Sequence, residues 1–79
     1  MKLWLLKARE DLPEGDNPWE PWYDKNFGFV VRSETEEQAR QLAHENDTKQ
    51  PWLNSKYSQC TELLQDGEAE MIMQDFRAA

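Results

Sequence analysis

Three prolines interrupt the acidic stretch at residues 10–24, EDLPEGDNPWEPWYD, and they constrain the fold more than any other feature of the chain. Proline lacks the N–H that a β-ladder needs and holds the residue before it extended, so this stretch cannot supply a central strand. Its Glu14-Gly15-Asp16-Asn17 segment is typical of a turn. We therefore predict a loop at residues 9–26, between two regular elements of a single domain.

The loop also carries three large aromatic side chains, Trp19, Trp22 and Tyr23. Exposed together, they would present a large apolar area to water, which favours an ordered loop whose rings cover the core. Acids and prolines surround Trp19. We therefore expect Trp19 to be the most exposed of the three and a candidate anchor for a partner.

Four segments have the apolar and β-branched character of strands. Residues 2–8, KLWLLKA, have no polar face and predict a central strand, and residues 27–32, FGFVVR, predict the second. Residues 58–64 and 68–76 predict a third and a fourth strand, joined by an Asp-Gly hairpin turn at residues 65–67.

A helix is predicted between the second and third strands. Ser33 and Glu36 match the S-x-x-E capping box, which places the first helical residue at Glu34. Small apolar side chains follow on one face, namely Ala39, Leu42 and Ala43. The predicted fold class is α+β: a small single domain with an antiparallel four-stranded sheet, in the chain order β-β-α-β-β, and one helix packed on a face.

Four further residues have structural interpretations. Trp52 and Leu53, in a loop at residues 48–57, are expected to fill an edge of the core. Gly28 marks a bulge or close packing in the second strand. Cys60 is the one cysteine, so it cannot form an internal disulfide, and we interpret it as a buried structural thiol in a reducing compartment.

The charge balance excludes two classes of partner. Acids outnumber bases sixteen to nine, for a formal net charge of −7, and no basic cluster is present. Direct binding to nucleic acid or to an anionic membrane needs lysine and arginine, so neither is expected. The apolar run near the start is too short for a signal peptide and no stretch reaches the length of a membrane span, which favours a soluble, cytoplasmic protein.

The acids themselves are the candidate site. The predicted partner-binding residues are Glu10, Asp11, Glu14, Asp16, Trp19, Glu20, Asp24, Glu34, Glu36 and Glu37. The loop carboxylates can replace nucleic-acid phosphates in a basic groove of another protein, where opposite charge speeds association. Two alternatives stay open: the acids serve only solubility, or Asp11, Glu14, Asp16 and Glu20 ligate calcium despite a spacing unlike an EF-hand. The helix acids either extend this surface or stabilise the positive end of the helix.

Motifs of catalysis are not found in the sequence. His44 lies near Glu45 and Asp47, but it has no second histidine and no spaced ligand, and phosphate loops, nucleophile elbows and HExxH motifs are missing. We therefore predict a protein that is not an enzyme and that holds no metal or cofactor. The alternative is a small metal-dependent enzyme.

A resemblance covers most of the chain and is carried by three segments, LWLLKAREDLPEGDNPWEPWYDKNFGFVVR, TEEQARQLAHEN and W-L-N-S-K-Y-S-x-C. These segments resemble small reading frames found in bacteria and in their phages and prophages. In size, acidity and α+β character the chain also resembles anti-CRISPR proteins, several of which place carboxylates in the basic DNA channel of a Cascade-type complex. That second resemblance is one of type, so it assigns no residue a role.

The resemblance implies an inhibitor in the cytoplasm of a bacterial host, encoded by a phage, that mimics DNA and binds a Cas subunit of a type I CRISPR effector. We expect it to act as a monomer on a basic protein surface. The alternative function is that of a small regulatory or structural interaction domain with an unrelated partner.

Overall fold

β1 (Lys2–Ala8) lies in the middle of a three-stranded antiparallel sheet in the computed structural model, which describes residues 1–77. β2 (Gly28–Ser33) and β3 (Ser58–Leu63) pair with its two edges. Between them in the chain, α1 (Glu36–Asn46) packs against the sheet. The central position predicted for the first strand is confirmed, and the domain is small and α+β.

The core lies between α1 and one face of the sheet. Its buried members are Leu6, Ala8, Trp19, Phe27, Ala39, Ala43 and Trp52. Successive side chains of a strand point to opposite faces, so β1 contributes alternate residues to this core. The two alanines of α1 have small side chains, which lets the helix lie close to the sheet.

The prediction for the loop at residues 48–57 is half correct. Trp52 is fully buried, and its ring lies 5.0 Å from that of Phe29 in an edge-to-face contact. Leu53 is instead 50% exposed, so its predicted place in the core is wrong. The backbone turns at this point, with the Trp52 N–H donating to the Gln50 carbonyl, and only one of the two neighbouring side chains can then face inward.

The predicted four-stranded sheet is wrong, because residues 64–77 form no strand. An Asp-Gly type I′ turn needs a positive φ at both central residues. Gly67 has a φ of 155°, but Asp24 is the one non-glycine residue with a positive φ within residues 1–77, so Asp66 does not meet this condition. The chain therefore leaves β3 without folding back beside it.

Residues 65–77, which we call the tail segment, contact the sheet face opposite α1. Met71 and Ile72 line a groove of about 410 Å³ together with Leu5 of β1. The Met73 Cε atom lies 3.3 Å from the position that a Cβ would take at Gly28. The prediction of close packing at Gly28 is therefore confirmed. Within residues 1–77, no hydrogen bond attaches the tail segment to the sheet, and side-chain contacts hold it instead.

The helix begins two residues later than predicted, with Thr35 as its N-cap. Ser33 is still the last residue of β2 and is fully buried, and its hydroxyl donates to the Thr35 carbonyl. The Thr35 hydroxyl accepts from the Gln38 N–H, and the Gln38 side chain accepts from the Glu34 N–H. Thr35 and Gln38 therefore cap the helix in a variant of the box, in which the Gln38 side chain binds the N–H of the residue before the N-cap, and the assignment of Ser33 and Glu36 to that role is wrong.

Arg40 joins the helix to the loop after it and to β3. Its guanidinium is buried and donates to the Trp52 carbonyl at 2.9 Å and to the Ser58 hydroxyl at 2.7 Å. The Ser58 carbonyl accepts a further bond at 3.2 Å, and the Glu36 carboxylate receives the Nε–H at 2.9 Å. Because a buried charge is tolerated only when it is paired and hydrogen-bonded, these contacts explain an arginine inside so small a domain. The α-helix described in residues 1–77 is too short and too polar to cross a bilayer.

Candidate functional site

The acidic loop at residues 9–26 is anchored by a tryptophan. Trp19 is fully buried, and its ring lies 4.9 Å from that of Trp52. Its indole N–H donates to the Tyr57 carbonyl at 2.8 Å. The order predicted for the loop thus has a clear origin, because the middle of the loop is part of the core.

The orientation predicted for the aromatic residues is wrong. Trp19 is the most buried of the three, whereas Tyr23 is 59% exposed and Trp22 is half-buried. The charged neighbours of Trp19 in the sequence point outward while its ring points inward. Trp19 is therefore not accessible as an anchor for a partner, and Tyr23 and the outer side of Trp22 are the accessible aromatic groups.

Asp16 fastens the loop to the chain before β3. Its carboxylate accepts from the Tyr57 hydroxyl at 2.8 Å and forms an ion pair with Lys56 at 3.0 Å. The hydrogen bond from Lys56 lowers the pKa of Asp16, and the bond from Tyr57 adds to that effect. The same contacts raise the pKa of Lys56, with the bond to Asp16 as the largest cause. Asp16 is thus engaged within the molecule.

The exposed tip of the loop is a turn that displays Glu14. The Asp16 N–H donates to the Pro13 carbonyl at 3.1 Å, and Gly15 has a φ of 88°. A positive φ at the third residue defines a type II turn and explains why glycine stands there. The predicted turn chemistry is therefore confirmed, with the turn starting one residue earlier than its four-residue signal.

The predicted site residues separate into two groups. The loop leaves the sheet at Ala8 and returns at Phe27, whereas α1 begins just after Ser33, which pairs with Lys2 at the other end of β1. Seven residues of strand separate the two ends by about 20 Å. The loop acids and the helix acids Glu34, Glu36 and Glu37 do not meet, and Glu36 is paired with Arg40.

Three loop acids line one groove of about 520 Å³, which we call the acidic groove, and these are Glu10, Glu14 and Glu20. Glu10 forms an ion pair with Arg77 at 3.2 Å, and Asp11, outside the groove, lies 3.5 Å from Arg9. Within residues 1–77, Glu14, Glu20 and Asp24 make no ion pair, and all three are exposed. The loop therefore keeps uncompensated negative charge on one side of the molecule.

Arg77 also lines this groove, a position that the sequence did not predict. Its guanidinium carbon lies 4.5 Å from the ring centroid of Trp22 and 4.4 Å from that of Phe27. The two rings are stacked, with centroids 5.2 Å apart. The sequence offers no signal for this contact, since Arg77 is 55 positions from Trp22 and 50 from Phe27.

A second exposed surface is apolar and lies on the sheet face opposite α1 and along the tail segment. Its large exposed side chains are Val30, Leu64, Met71, Ile72 and Phe76. Leu64, Met71 and Ile72 line the same groove, and neighbouring exposed apolar side chains mark a place where something can bind. These residues belong to segments predicted as strands of a four-stranded sheet, which would have covered part of them.

The remaining candidates for chemistry are weak. Cys60 is half-buried, and burial raises the pKa of its thiol; the Glu36 carboxylate adds to the rise and Arg40 opposes it. A raised pKa leaves less thiolate at neutral pH, so Cys60 is poorly suited to act as a nucleophile. Among residues 1–77, no group of three or more His, Cys, Asp and Glu side chains is placed to hold a metal ion.

No family model, no curated protein and no solved structure matches this chain.

Proposed function

We propose that this protein is a non-enzymatic inhibitor that binds a basic groove of a nucleic-acid-binding protein through its acidic loop. The observation that carries the proposal is the pair of exposed carboxylates Glu14 and Glu20, which line one groove of an ordered loop and have no ion partner within residues 1–77. Such carboxylates can occupy the positions of phosphates. Within this class, the partner we propose is a Cas subunit of a type I CRISPR effector, whose DNA site the protein would block.

The rigidity of the loop supports this proposal. A mobile loop would lose conformational entropy when it bound, whereas a loop already held by Trp19 and Asp16 loses little. Electrostatic attraction between a protein of net charge −7 and a basic groove also speeds association and weakens as salt is added. The binding surface is thus narrower than the sequence indicated: it consists of the acidic groove and the turn at Glu14, without the helix acids.

The test is a pull-down of the N-terminally tagged protein from a lysate that contains a type I effector, with washes at low and high salt and identification by mass spectrometry. We expect capture of a Cas subunit that weakens with salt. Glu14→Lys with Glu20→Lys should abolish capture. The matched control is Glu45→Lys with Glu68→Lys, which changes the net charge equally at exposed positions outside the groove and should retain capture.

Two results would contradict the proposal. Equal loss in the test and control variants would show that net charge alone drives binding. Retention of capture by the Glu14 and Glu20 variant would remove the acidic groove from the interface. Asp16 is left unchanged in both variants, because its ion pair with Lys56 and its bond from Tyr57 make it part of the fold.

The exposed apolar surface favours a second candidate function. Met71 and Ile72 are exposed and line a groove on the sheet face opposite α1, which is a geometry that an interaction domain with an uncharged partner would use. In that case capture would persist in high salt and in the Glu14 and Glu20 variant, and it would fall on Ile72→Glu.

A further inference from the structure

The acidic groove contains a place shaped for a guanidinium group, and Arg77 fills it. A planar guanidinium stacks on aromatic faces and pairs with carboxylates, which an ammonium does less well. The Arg77 guanidinium carbon lies within 4.5 Å of the Trp22 and Phe27 ring centroids, and its Nη1 lies 3.2 Å from the Glu10 carboxylate. These three residues, Glu10, Trp22 and Phe27, form what we call the arginine cradle.

The groove carries more negative charge than Arg77 needs. Asp75 already lies 2.6 Å from the Arg77 Nε atom, although that Nε–H is not aligned for a hydrogen bond. Glu10 adds a second carboxylate, and Glu14 and Glu20 line the same groove without an ion partner in residues 1–77. The surplus suits a ligand with several positive charges rather than one internal arginine.

The tail segment holds Arg77 in the cradle only loosely. Within residues 1–77, no hydrogen bond connects residues 65–77 to the sheet. At the end of the segment, Phe76 is 82% exposed. At its start, a Cβ added at Gly67 would have no neighbour within 4 Å. The tail segment can therefore move away without breaking a strand pairing, and its departure uncovers the Phe27 ring at the edge of the core.

We propose that the arginine cradle is a binding site for an exposed arginine of the basic partner, and that Arg77 occupies it in the free protein and leaves when the partner binds. The partner's arginine would make the contacts that Arg77 makes now, with Glu14 and Glu20 beside it. The identity of the natural partner rests on the proposed function above, but the cradle can be tested without that partner.

An internal occupant lowers the apparent affinity for an external one. The apparent dissociation constant equals the intrinsic constant divided by the fraction of molecules whose site is free, so a cradle closed nine-tenths of the time weakens binding about tenfold. Removal of the Arg77 guanidinium should therefore raise the affinity for the external ligand by the same factor. It should do so for an arginine ligand much more than for a lysine ligand, because only arginine uses the stacked rings fully.

The experiment measures binding of fluorescein-labelled tetra-arginine and tetra-lysine peptides to the full chain by fluorescence anisotropy at low salt. We expect wild-type protein to prefer tetra-arginine. Arg77→Gln should tighten tetra-arginine binding about tenfold and tetra-lysine binding much less. Adding Glu10→Gln to Arg77→Gln should reduce the arginine preference, whereas adding Glu62→Gln, which removes the same charge near Lys2 at the other end of β1, should not.

The outcomes separate this proposal from the proposed function. The cradle would be overturned if Arg77→Gln bound tetra-arginine with unchanged affinity. It would also be overturned if both peptides bound equally to every variant, and that result would still be compatible with a charge-driven inhibitor. No binding of either peptide would overturn both. A tenfold gain for tetra-arginine in Arg77→Gln, with failure of the pull-down, would support the cradle and reject the CRISPR effector as partner. Circular dichroism of each variant verifies that the fold is retained.

Discussion

The indole N–H of Trp19 donates to the Tyr57 carbonyl across 2.8 Å and thereby joins the middle of the acidic loop to the chain that leads into β3. The same carbonyl also accepts from the Arg9 N–H at 3.0 Å. One carbonyl thus joins the acidic loop, the residue after β1 and the residue before β3, at the end of the sheet where β1 and β3 pair. This contact positions the acidic groove relative to the sheet.

Replacement of Trp19 should therefore destabilise the fold and release the loop. We expect Trp19→Ala to lower the free energy of unfolding by about 3–5 kcal/mol, because it leaves a large cavity. Trp19→Phe should cost less, since a ring remains. Urea denaturation gives the free energies, and limited proteolysis shows whether residues 9–26 become accessible. Tyr23→Ala is the control, with an expected change within about 0.5 kcal/mol because the side chain is largely exposed. Equal effects at Trp19 and Tyr23 would contradict the buried position of Trp19.

Arg40 should tolerate neither methionine nor lysine. Arg40→Met removes the guanidinium donor from the buried Ser58 carbonyl and leaves the Trp52 carbonyl with the Ser58 hydroxyl, and we expect a loss of up to about 3 kcal/mol, since a buried unsatisfied group costs about 1–3 kcal/mol. Arg40→Lys should be nearly as damaging, because one ammonium cannot reach all four acceptors. Thermal and urea unfolding test this, with the exposed Arg32→Met as control. A stability of Arg40→Lys equal to wild type would show that only the charge matters.

Stability should fall in acid partly through Asp16. Its pKa in the folded protein lies below the ordinary value of 3.8, so its contribution is fully present above about 3.8 and is lost as the pH falls through the folded value. Asp16→Asn removes this dependence, and the difference in urea midpoint between variant and wild type should shrink from pH 5 to pH 2. Glu14→Gln, in the same turn, should follow the wild-type curve. A difference between Asp16→Asn and wild type that is constant with pH would exclude the ion pair as its cause.

Cys60 should react slowly with thiol reagents. Burial raises the pKa of its thiol above the ordinary value of 9.0, so the thiolate fraction at pH 8 is below that of an open cysteine. The measurement is the rate of reaction with 5,5′-dithiobis(2-nitrobenzoic acid) at pH 8 in buffer and in urea. The unfolded chain should react faster. Equal rates would mean that the thiol is accessible and not perturbed by its surroundings.

Local sequence patterns were sufficient to predict β1, the helix and the loop at residues 9–26. The unbroken apolar run of β1 predicts a central strand, and the structure places β1 between β2 and β3. The small residues Ala39 and Ala43 indicate a helix that lies close to the sheet. The prolines indicate a loop, and residues 9–27 contain neither a helix nor a strand.

Competing local signals explain the errors. Ser33 and Thr35 each begin a sequence that matches a capping box. Because β2 extends through Ser33, Thr35 is the residue that caps the helix. An Asp-Gly pair predicts a hairpin only if both residues take a positive φ, which composition does not reveal. Trp19 has charged neighbours, yet the direction of its own side chain depends on where the loop turns.

Long-range contacts explain what the sequence could not indicate about the candidate site. Arg77 meets Trp22 and Phe27 because the tail segment crosses the sheet, and that path is set by tertiary packing. The sequence around Arg40 indicates an exposed charge on the helix surface. In the structure, the loop at Trp52 and the start of β3 surround its guanidinium. In both cases a cation is matched by groups far away in the chain.

The position of β1, first in the chain and central in the sheet, also has a consequence for the order of folding. Pairing with β2 closes a loop of roughly 20 residues and pairing with β3 closes one of roughly 50, so the second closure costs about 0.8 kcal/mol more in chain entropy. The β1–β2 hairpin should therefore form first, and the second edge of β1 stays unpaired until β3 pairs with it. During that interval the free edge of β1 is open to pairing with another chain, and aggregation during refolding should begin there.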